Sequence, residues 1–503
     1  MVSSSTTDTA STQTLRSGAV GAPAIAFFVI AAAAPLTCVM GVTPLLIGYG
    51  VGIYAPLIYV IIGLALLLFA VGYVAMSRRI RNAGSMYAYI AQGIGPSWGA
   101  GASFVALAAY FCSIITLLGF FGFVAHTLFL DLFGLDISWY LLCLGAIILC
   151  VLLGRSNLEL GAKVLGLLLI AELSILLILA VTVIFTGGAE GVTVESWNPA
   201  GLFGGGIGIS LAFAYASYIG FEQTAIYSEE AKDPKTSVKR ATIGAVIFTS
   251  AFYALLTWVL VLAYGKSDAM QVALEDPGNM VVNAAQDYLG QGVVWVIQIL
   301  VVTGSFAAIL SFHNAISRYF FSLGREKVLP KSLGYVREIA QSPHRGSLTV
   351  GVVNTVLLLI LFVLGADPYL DIFTWGAAAS TVGFVALQTL CSVAIVMYFR
   401  RHRDGDEGLW TTTIAPVLAS LVLGAGVVLI VANFGNLVGG EVGAAPYVVA
   451  AIYLAVGVIG FIVAEAMKRK RRQEWAAIGT GRISVIGTDE MSAESSTEPS
   501  RTA

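Results

Sequence analysis

Charge is what this sequence has least of. Only 11% of its 503 residues are Asp, Glu, Lys or Arg, against 58% that are apolar, whereas soluble globular domains are about one quarter charged. A soluble fold is excluded, and no polar segment between apolar runs exceeds about 30 residues, so the chain has no room for a soluble domain. Cysteine is also sparse. Cys38, Cys112, Cys143, Cys150 and Cys391 lie inside apolar runs without C-x-x-C or Cys/His metal spacing, which makes them small apolar fillers. There is no G-x-S-x-G, no H-E-x-x-H and no G-x-x-x-x-G-K-[ST] loop, which argues against an enzyme, a bound cofactor or metal, and transport driven by ATP. The net charge of -2 offers no basic excess for a nucleic-acid partner.

Apolar runs are what the sequence has in quantity. Runs of membrane-spanning length, roughly 17 to 25 residues, can be counted as twelve: Ala22 to Leu46, Tyr54 to Met76, Ser97 to His126, Ser138 to Leu153, Leu160 to Phe185, Gly206 to Ser228, Arg240 to Leu262, Val293 to Leu323, Ser347 to Leu364, Ile372 to Phe399, Thr412 to Phe434 and Tyr447 to Lys468. Positively charged loops stay cytoplasmic. With the N-terminus inside, every one of the 27 basic residues except Lys266 falls on the inner side. That asymmetry supports both the count and an orientation with both termini in the cytoplasm of a multi-pass protein of the cytoplasmic membrane. The domain plan is then a disordered N-terminal tail (1–21), a transporter domain (22–468) and a tail (469–503) that is basic and then disordered. The basic run Lys468 to Arg472 is suited to anionic lipid headgroups, or to a regulatory contact. The longest outer loop, Tyr264 to Gly292, contains PGNMVVNAAQDYLG, read as a short helix on the outer face.

Two spans carry residues that do not suit an unbroken membrane helix. In the first, Ala32, Ala33, Ala34, Pro35 and Thr37 occur mid-span, and proline removes a helical hydrogen bond and clashes with the preceding turn. In the sixth, Phe213, Tyr215, Ala216, Ser217, Tyr218, Gly220 and Glu222 interrupt an apolar run. Irregular backbone at membrane depth is tolerated where it is buried in protein or lines a cavity. Spans one and six are five apart and so occupy equivalent places in two five-span halves, about 22–186 and 206–399, with two further spans at about 412–468. This is the pattern of an inverted-repeat transporter with its site between the two breaks. A half-helix starting at Pro35 presents N–H groups and a positive dipole end to a carboxylate, while carbonyls near residues 31–33 and 215–216 suit an ammonium group. An α-amino acid satisfies both.

Two carboxyl groups inside the spans are candidates for coupling and gating. Glu222 sits in the first turn after the sixth-span break, where it either caps that break or takes up a proton during the cycle. Glu172 lies about 18 Å along the fifth span from Leu160, at about 1.5 Å per residue, close to mid-membrane, and could carry a proton or form a neutral interhelical hydrogen bond. His313 near the end of span eight is read as structural, and Tyr110, Phe111 and Trp375 as possible pocket walls or packing residues.

The run IGFEQTAIYSEEAKDPKTSVKRA, with Gly220, Phe221, Glu222, Glu229, Glu230, Lys232, Asp233, Pro234, Arg240 and Ala241 in place, resembles the sixth helix and following loop of the amino acid, polyamine and organocation (APC) superfamily. Asn82 to Gly95 resembles the loop after the second helix of that superfamily, and Asn314 to Pro330 the end of the eighth. The resemblance implies an all-α polytopic membrane protein of LeuT-like fold, a 5+5 inverted repeat with two additional C-terminal helices, twelve transmembrane helices in all, helices one and six being discontinuous. It implies a permease that moves amino acids or related amines, and a Glu222 that matches a family residue implicated in gating and pH response. Two departures stand out. The first break is AAAAPLT rather than a Gly-rich G-S-G type, and Glu172 stands at about the position where some proton-coupled members carry Lys. The expected function is therefore proton-coupled secondary transport of an amino acid by alternating access. The alternatives are a permease or exchanger for an amine or polyamine lacking a carboxylate and, from another class, a non-transporting membrane sensor.

Overall fold

The computed structural model describes residues 29–480 apart from 31, 81, 83, 155–158, 227–232, 335–342, 403–406 and 435–444. The expected tail 1–21 and the loop residues Glu229, Glu230 and Lys232 lie outside the described residues. Of the expected C-terminal tail, 481–503 likewise lie outside them.

The regular structure described is helical. Residues 29–33 precede a break, after which come α1 (Pro35–Gly41) and α2 (Thr43–Gly48). These are followed by α3 (Ala55–Arg79), α4 (Met86–Gly93), α5 (Pro96–Phe133), α6 (Trp139–Leu153), α7 (Glu159–Thr186), α8 (Ile207–Ala216), α9 (Gln223–Ile226) and α10 (Pro234–Tyr264). The outer loop read as one short helix contains two, α11 (Ala269–Glu275) and α12 (Met280–Leu289). The chain continues as α13 (Gln291–Arg325), α14 (His344–Val363), α15 (Thr374–Arg401), α16 (Ala415–Asn433), α17 (Ala445–Lys470) and a short α18 (Arg472–Ala476). Among the described residues nine helices are long and apolar enough to cross a membrane, and three shorter apolar ones, Pro35–Gly48, Trp139–Leu153 and Ile207–Ala216, fall within expected spans one, four and six.

Packing separates a central group from a rim. α3 lies along α10, and α5 packs against α13, α15 and α17. α14, α16 and α17 keep most of their apolar surface on the outside. Side chains such as Phe185, 86% exposed, and Val363, 75% exposed, would be costly in water but match a hydrocarbon solvent. The molecule is a multi-pass membrane protein.

The tail beyond the last long helix departs from expectation. The chain is helical from Arg472 to Ala476 and continues to Thr480 with Ile478 fully buried. Composition alone misses this because a short polar segment with one Ile and one Trp buries little by itself. The surface it docks on is assembled from distant parts of the chain.

One local device positions the core near the site. A π-helical turn, Pro368–Phe373, precedes α15, and Asp367 caps it by accepting the N–H groups of Tyr369 at 2.9 Å and Leu370 at 2.6 Å. In return the Asp371 carboxylate accepts the Asp367 N–H at 2.8 Å. The turn orients Tyr369 and Phe373, whose rings stack at 5.6 Å between centroids and pack on Phe120. Asp367→Ala is expected to cost about 1 kcal/mol of stability, as other lost helix caps do. The loss would appear as a lower midpoint in thermal unfolding of the detergent-solubilised protein, and an unchanged midpoint would contradict the capping role.

Candidate functional site

The site begins with the backbone of Ala34. Pro35 disfavours helical geometry in the residue before it, and Ala34 takes φ 42, ψ 68, a left-handed conformation, as the N-cap of α1. For a residue with a Cβ this costs roughly 1–2 kcal/mol, so the surroundings must hold it. The Ala33 carbonyl accepts the Tyr253 hydroxyl from α10 at 2.8 Å and the Cys38 thiol at 3.1 Å, and the Ala34 carbonyl accepts the Cys38 N–H at 2.9 Å. Cys38, expected to be an inert filler, thus supports the break.

The second interruption follows α8. From Ser217 the helix tightens into turns: the N–H groups of Ser217, Tyr218 and Ile219 reach the carbonyls of Ala214, Tyr215 and Ala216 at 3.2, 2.9 and 3.2 Å. Gly220 then adopts φ 120, a conformation open to glycine at no steric cost. A side chain there would also collide with the other break, since an added Cβ would lie 2.9 Å from the Ala32 Cβ. The two interruptions are therefore in direct contact.

Glu222 folds back over this turn. Fully buried, its carboxyl group accepts the Gly220 N–H at 2.9 Å through Oε2 and the Tyr110 hydroxyl of α5 at 2.9 Å through Oε1. Its carbonyl accepts the Tyr73 hydroxyl of α3 at 2.7 Å. Glu172 of α7, also buried, meets the first break: its carboxyl group stands beside the Leu36 N–H at the start of α1 and packs against Gly304 of α13. The two membrane carboxyls separated by fifty residues in sequence thus each attend one break.

Between the breaks lies a cavity of about 40 Å³, room for one or two waters at about 30 Å³ each. Ala32, Ala33, Ala34, Thr37 and Ala216 line it, and Pro35 is the first residue of α1. The other residues singled out from the sixth span are not in its lining. Tyr215 donates to Gln388 of α15; Ser217 Oγ pairs with the Tyr59 hydroxyl at 3.4 Å; Tyr218 donates to the Tyr59 carbonyl at 2.5 Å and to Ser250 at 3.1 Å; Phe213 is buried. Tyr110 holds Glu222, while Phe111 packs on Phe320 and Trp375 on Phe434. His313 pairs with Ser347 of α14 at 2.7 Å.

Residues from other helices complete the walls: Ser113 and Thr116 of α5, Phe312 of α13, Phe373 at the end of the π-helical turn, and Ala377 and Ser380 at the start of α15. The sequence carried little signal for them, since isolated Ser and Phe residues are common in membrane helices and only folding brings α5, α13 and α15 together. Among the described residues the lining contains no charged side chain. It does contain two buried hydroxyls without a protein partner, Thr37 Oγ1 and Ser113 Oγ. Of the carbonyls expected to face a cation, that of Ala33 already takes two donors. That of Tyr215 is reached by the N–H groups of Ser217 and Tyr218, while that of Ala216 accepts the Ile219 N–H at 3.2 Å, and a carbonyl oxygen has two lone pairs.

Residues 21–461 match the amino acid permease family. Over 380 residues the chain is 28% identical to the branched-chain amino acid permease BcaP of Lactococcus lactis subsp. cremoris, covering 70% of this chain and 76% of that protein. It is 24% identical to the methylthioribose transporter of Bacillus subtilis over 215 residues, 42% of this chain and 43% of the other. Its fold is similar to that of MhsT, solved in complex with L-phenylalanine, with a TM-score of 0.55 at 16% identity, covering 80% of this chain and 98% of MhsT. With that match spanning both breaks and the helices that wall the cavity, the chain belongs to the amino acid permease family and is a transporter rather than an enzyme.

Proposed function

We propose that the protein is a proton-coupled symporter of an apolar amino acid, with twelve spans, both termini in the cytoplasm and a substrate site between the two helix breaks. The observation that carries this reading is the placement of Glu172 at the N-terminal end of Pro35–Gly48, beside a cavity that holds no charged side chain. The amides at that end favour an anion. An ionised Glu172 competes with a substrate carboxylate for them and repels it. A protonated Glu172 gives up that claim, so proton and amino acid bind together.

Thr37 and Ser113 offer their unpartnered hydroxyls to the substrate's polar end, and the spare lone pair of the Ala216 carbonyl suits its ammonium group. Phe312, Phe373 and Ala377 give the side-chain end an apolar wall. An apolar amino acid fits this division, in keeping with the branched-chain permease and the phenylalanine-bound relative. A polyamine fits it poorly, since no acidic side chain lines the cavity. About 40 Å³ is too small for any amino acid, so the walls must part to admit one, as alternating access requires.

Glu222 we assign to the scaffold of the site. Its carboxyl group is taken by a backbone amide of its own turn and by Tyr110, which is how a cap behaves.

Purified protein in proteoliposomes is expected to accumulate labelled leucine when protons are driven inward, a difference of one pH unit sustaining about tenfold accumulation for one proton per substrate. Glu172→Gln, which carries no ionisable proton, is expected to equilibrate leucine without accumulating it. Accumulation by the variant that still follows the gradient would rule out Glu172 as the coupling group.

Tyr110→Phe is expected to lower stability by about 1–3 kcal/mol, the cost of leaving the Glu222 oxygen short of a donor, while proton dependence of uptake persists. A variant as stable as the parent, with uptake no longer dependent on protons, would reverse the assignments of Glu222 and Glu172.

A further inference from the structure

At the end of the bundle where α3 and α13 finish, a third buried carboxylate gathers distant parts of the chain. Glu326, directly after α13, is 3% exposed. Its Oε1 accepts the Asn82 side-chain amide at 2.9 Å, from the segment that follows α3. Its Oε2 accepts the Tyr87 hydroxyl of α4 at 3.2 Å and the backbone N–H of Gly479 at 3.0 Å. The last of these donors comes from the tail.

Other contacts fix the same stretch. The Trp475 indole N–H donates to Ser97, at the start of α5, at 2.9 Å. Lys327 pairs with Glu474 at 2.6 Å. Ile478 is fully buried. Gly479 takes φ 77, and an added Cβ would lie 2.6 Å from the Ala91 Cβ of α4, so only glycine lets the backbone come close enough to reach Glu326. The tail therefore crosses from the end of α13 to α4 and the start of α5, and the carboxylate beneath it also holds Asn82. The tail residues lie beyond the region shared with the family, whose match ends at residue 461, while Glu326, Asn82 and Tyr87 lie within it.

We propose that residues 471–479 form an autoinhibitory strap that holds this end of the bundle closed and must lift for the transporter to turn over. The inference rests on the transport reading above. Opening toward this side separates the ends of α3 and α13, and Glu326 is the joint between them. The strap supplies one of its three donors and covers it. Being short, the strap can detach as a local unit without unfolding the bundle.

The test uses the full chain in proteoliposomes and reads two things, the initial rate of leucine uptake and the alkylation of Ile478→Cys by a membrane-impermeant maleimide. The chain without that cysteine supplies the blank. Gly479→Ala adds one methyl group where there is no room and displaces the donor. It is expected to speed both labelling and uptake by about tenfold, the shift in a closed-to-open ratio that follows from losing one hydrogen bond to a charged group. Deletion of residues 471–503 should speed uptake likewise and serves as the second variant if Gly479→Ala does not fold. Labelling that rises while uptake stays level would overturn the strap, showing a segment that detaches without controlling turnover. Uptake that falls in a variant of unchanged melting temperature would overturn it as well, showing a support for the active state. If the parent chain moves no amino acid at all, the transport reading fails instead, and the two failures are distinguishable because labelling is measured without transport.

Discussion

Interrupting a helix within a bilayer frees amides and carbonyls that water does not reach, and each one left unpaired costs several kcal/mol. This constraint accounts for much of what surrounds the two breaks. Tyr253 and the Cys38 thiol meet the Ala33 carbonyl. Glu222 meets the Gly220 amide, and Tyr110 in turn satisfies the Glu222 oxygen that is left. Glu172 stands beside the Leu36 amide. These groups come from four helices, so each break is also a point at which neighbouring helices are tied to it. Removing one tie weakens the site and the packing together.

The cavity is what remains once those debts are met. Its polar character comes from two hydroxyls without partners and from the open lone pair of the Ala216 carbonyl at the end of α8. On the proposed transport reading, such a surface would bind a zwitterion through backbone groups and leave side-chain preference to the apolar wall, and Glu172, behind the break, would compete for the amides there without lining the cavity.

The sequence was informative where physics is local. Spans could be read from the length of apolar runs, and the first interruption from Pro35, because hydrophobic thickness and a missing N–H act on neighbouring residues. The facing of side chains after the second interruption was not legible. Tyr215, Ser217 and Tyr218 were assigned to the site, but the tightened turns and the φ of Gly220 change the rotation that a 3.6-residue period would give, and all three point toward α3, α10 or α15. Ser113, Thr116 and Phe373 were missed for a different reason, since their place depends on which helices meet. The contact between Asn82 and Glu326 links positions 244 residues apart. Both lie within the segments that carried the resemblance, yet nothing in either says that one holds the other. The buried tail was hidden by composition, which reports what a segment can bury alone and says little about what a prepared surface can hold.

One element connects the cavity to the tail. α13 contributes Phe312 to the cavity wall and Gly304 to the seat of Glu172, then runs on to Ser322, which donates to Asn82 at 3.0 Å, and to Glu326 just beyond its end. From Phe312 to Glu326 is about 21 Å at about 1.5 Å per residue. Along it, Tyr319 packs edge-on against Tyr110, the residue that holds Glu222. A continuous helix resists bending, so a displacement of the cavity wall needed to admit a substrate is carried to the joint at Glu326. The reverse also holds: whatever restrains Glu326 restrains the wall. If the proposed strap holds, substrate entry and release of the tail would act on the same rigid body, and binding at one end would favour opening at the other without a separate path for the signal.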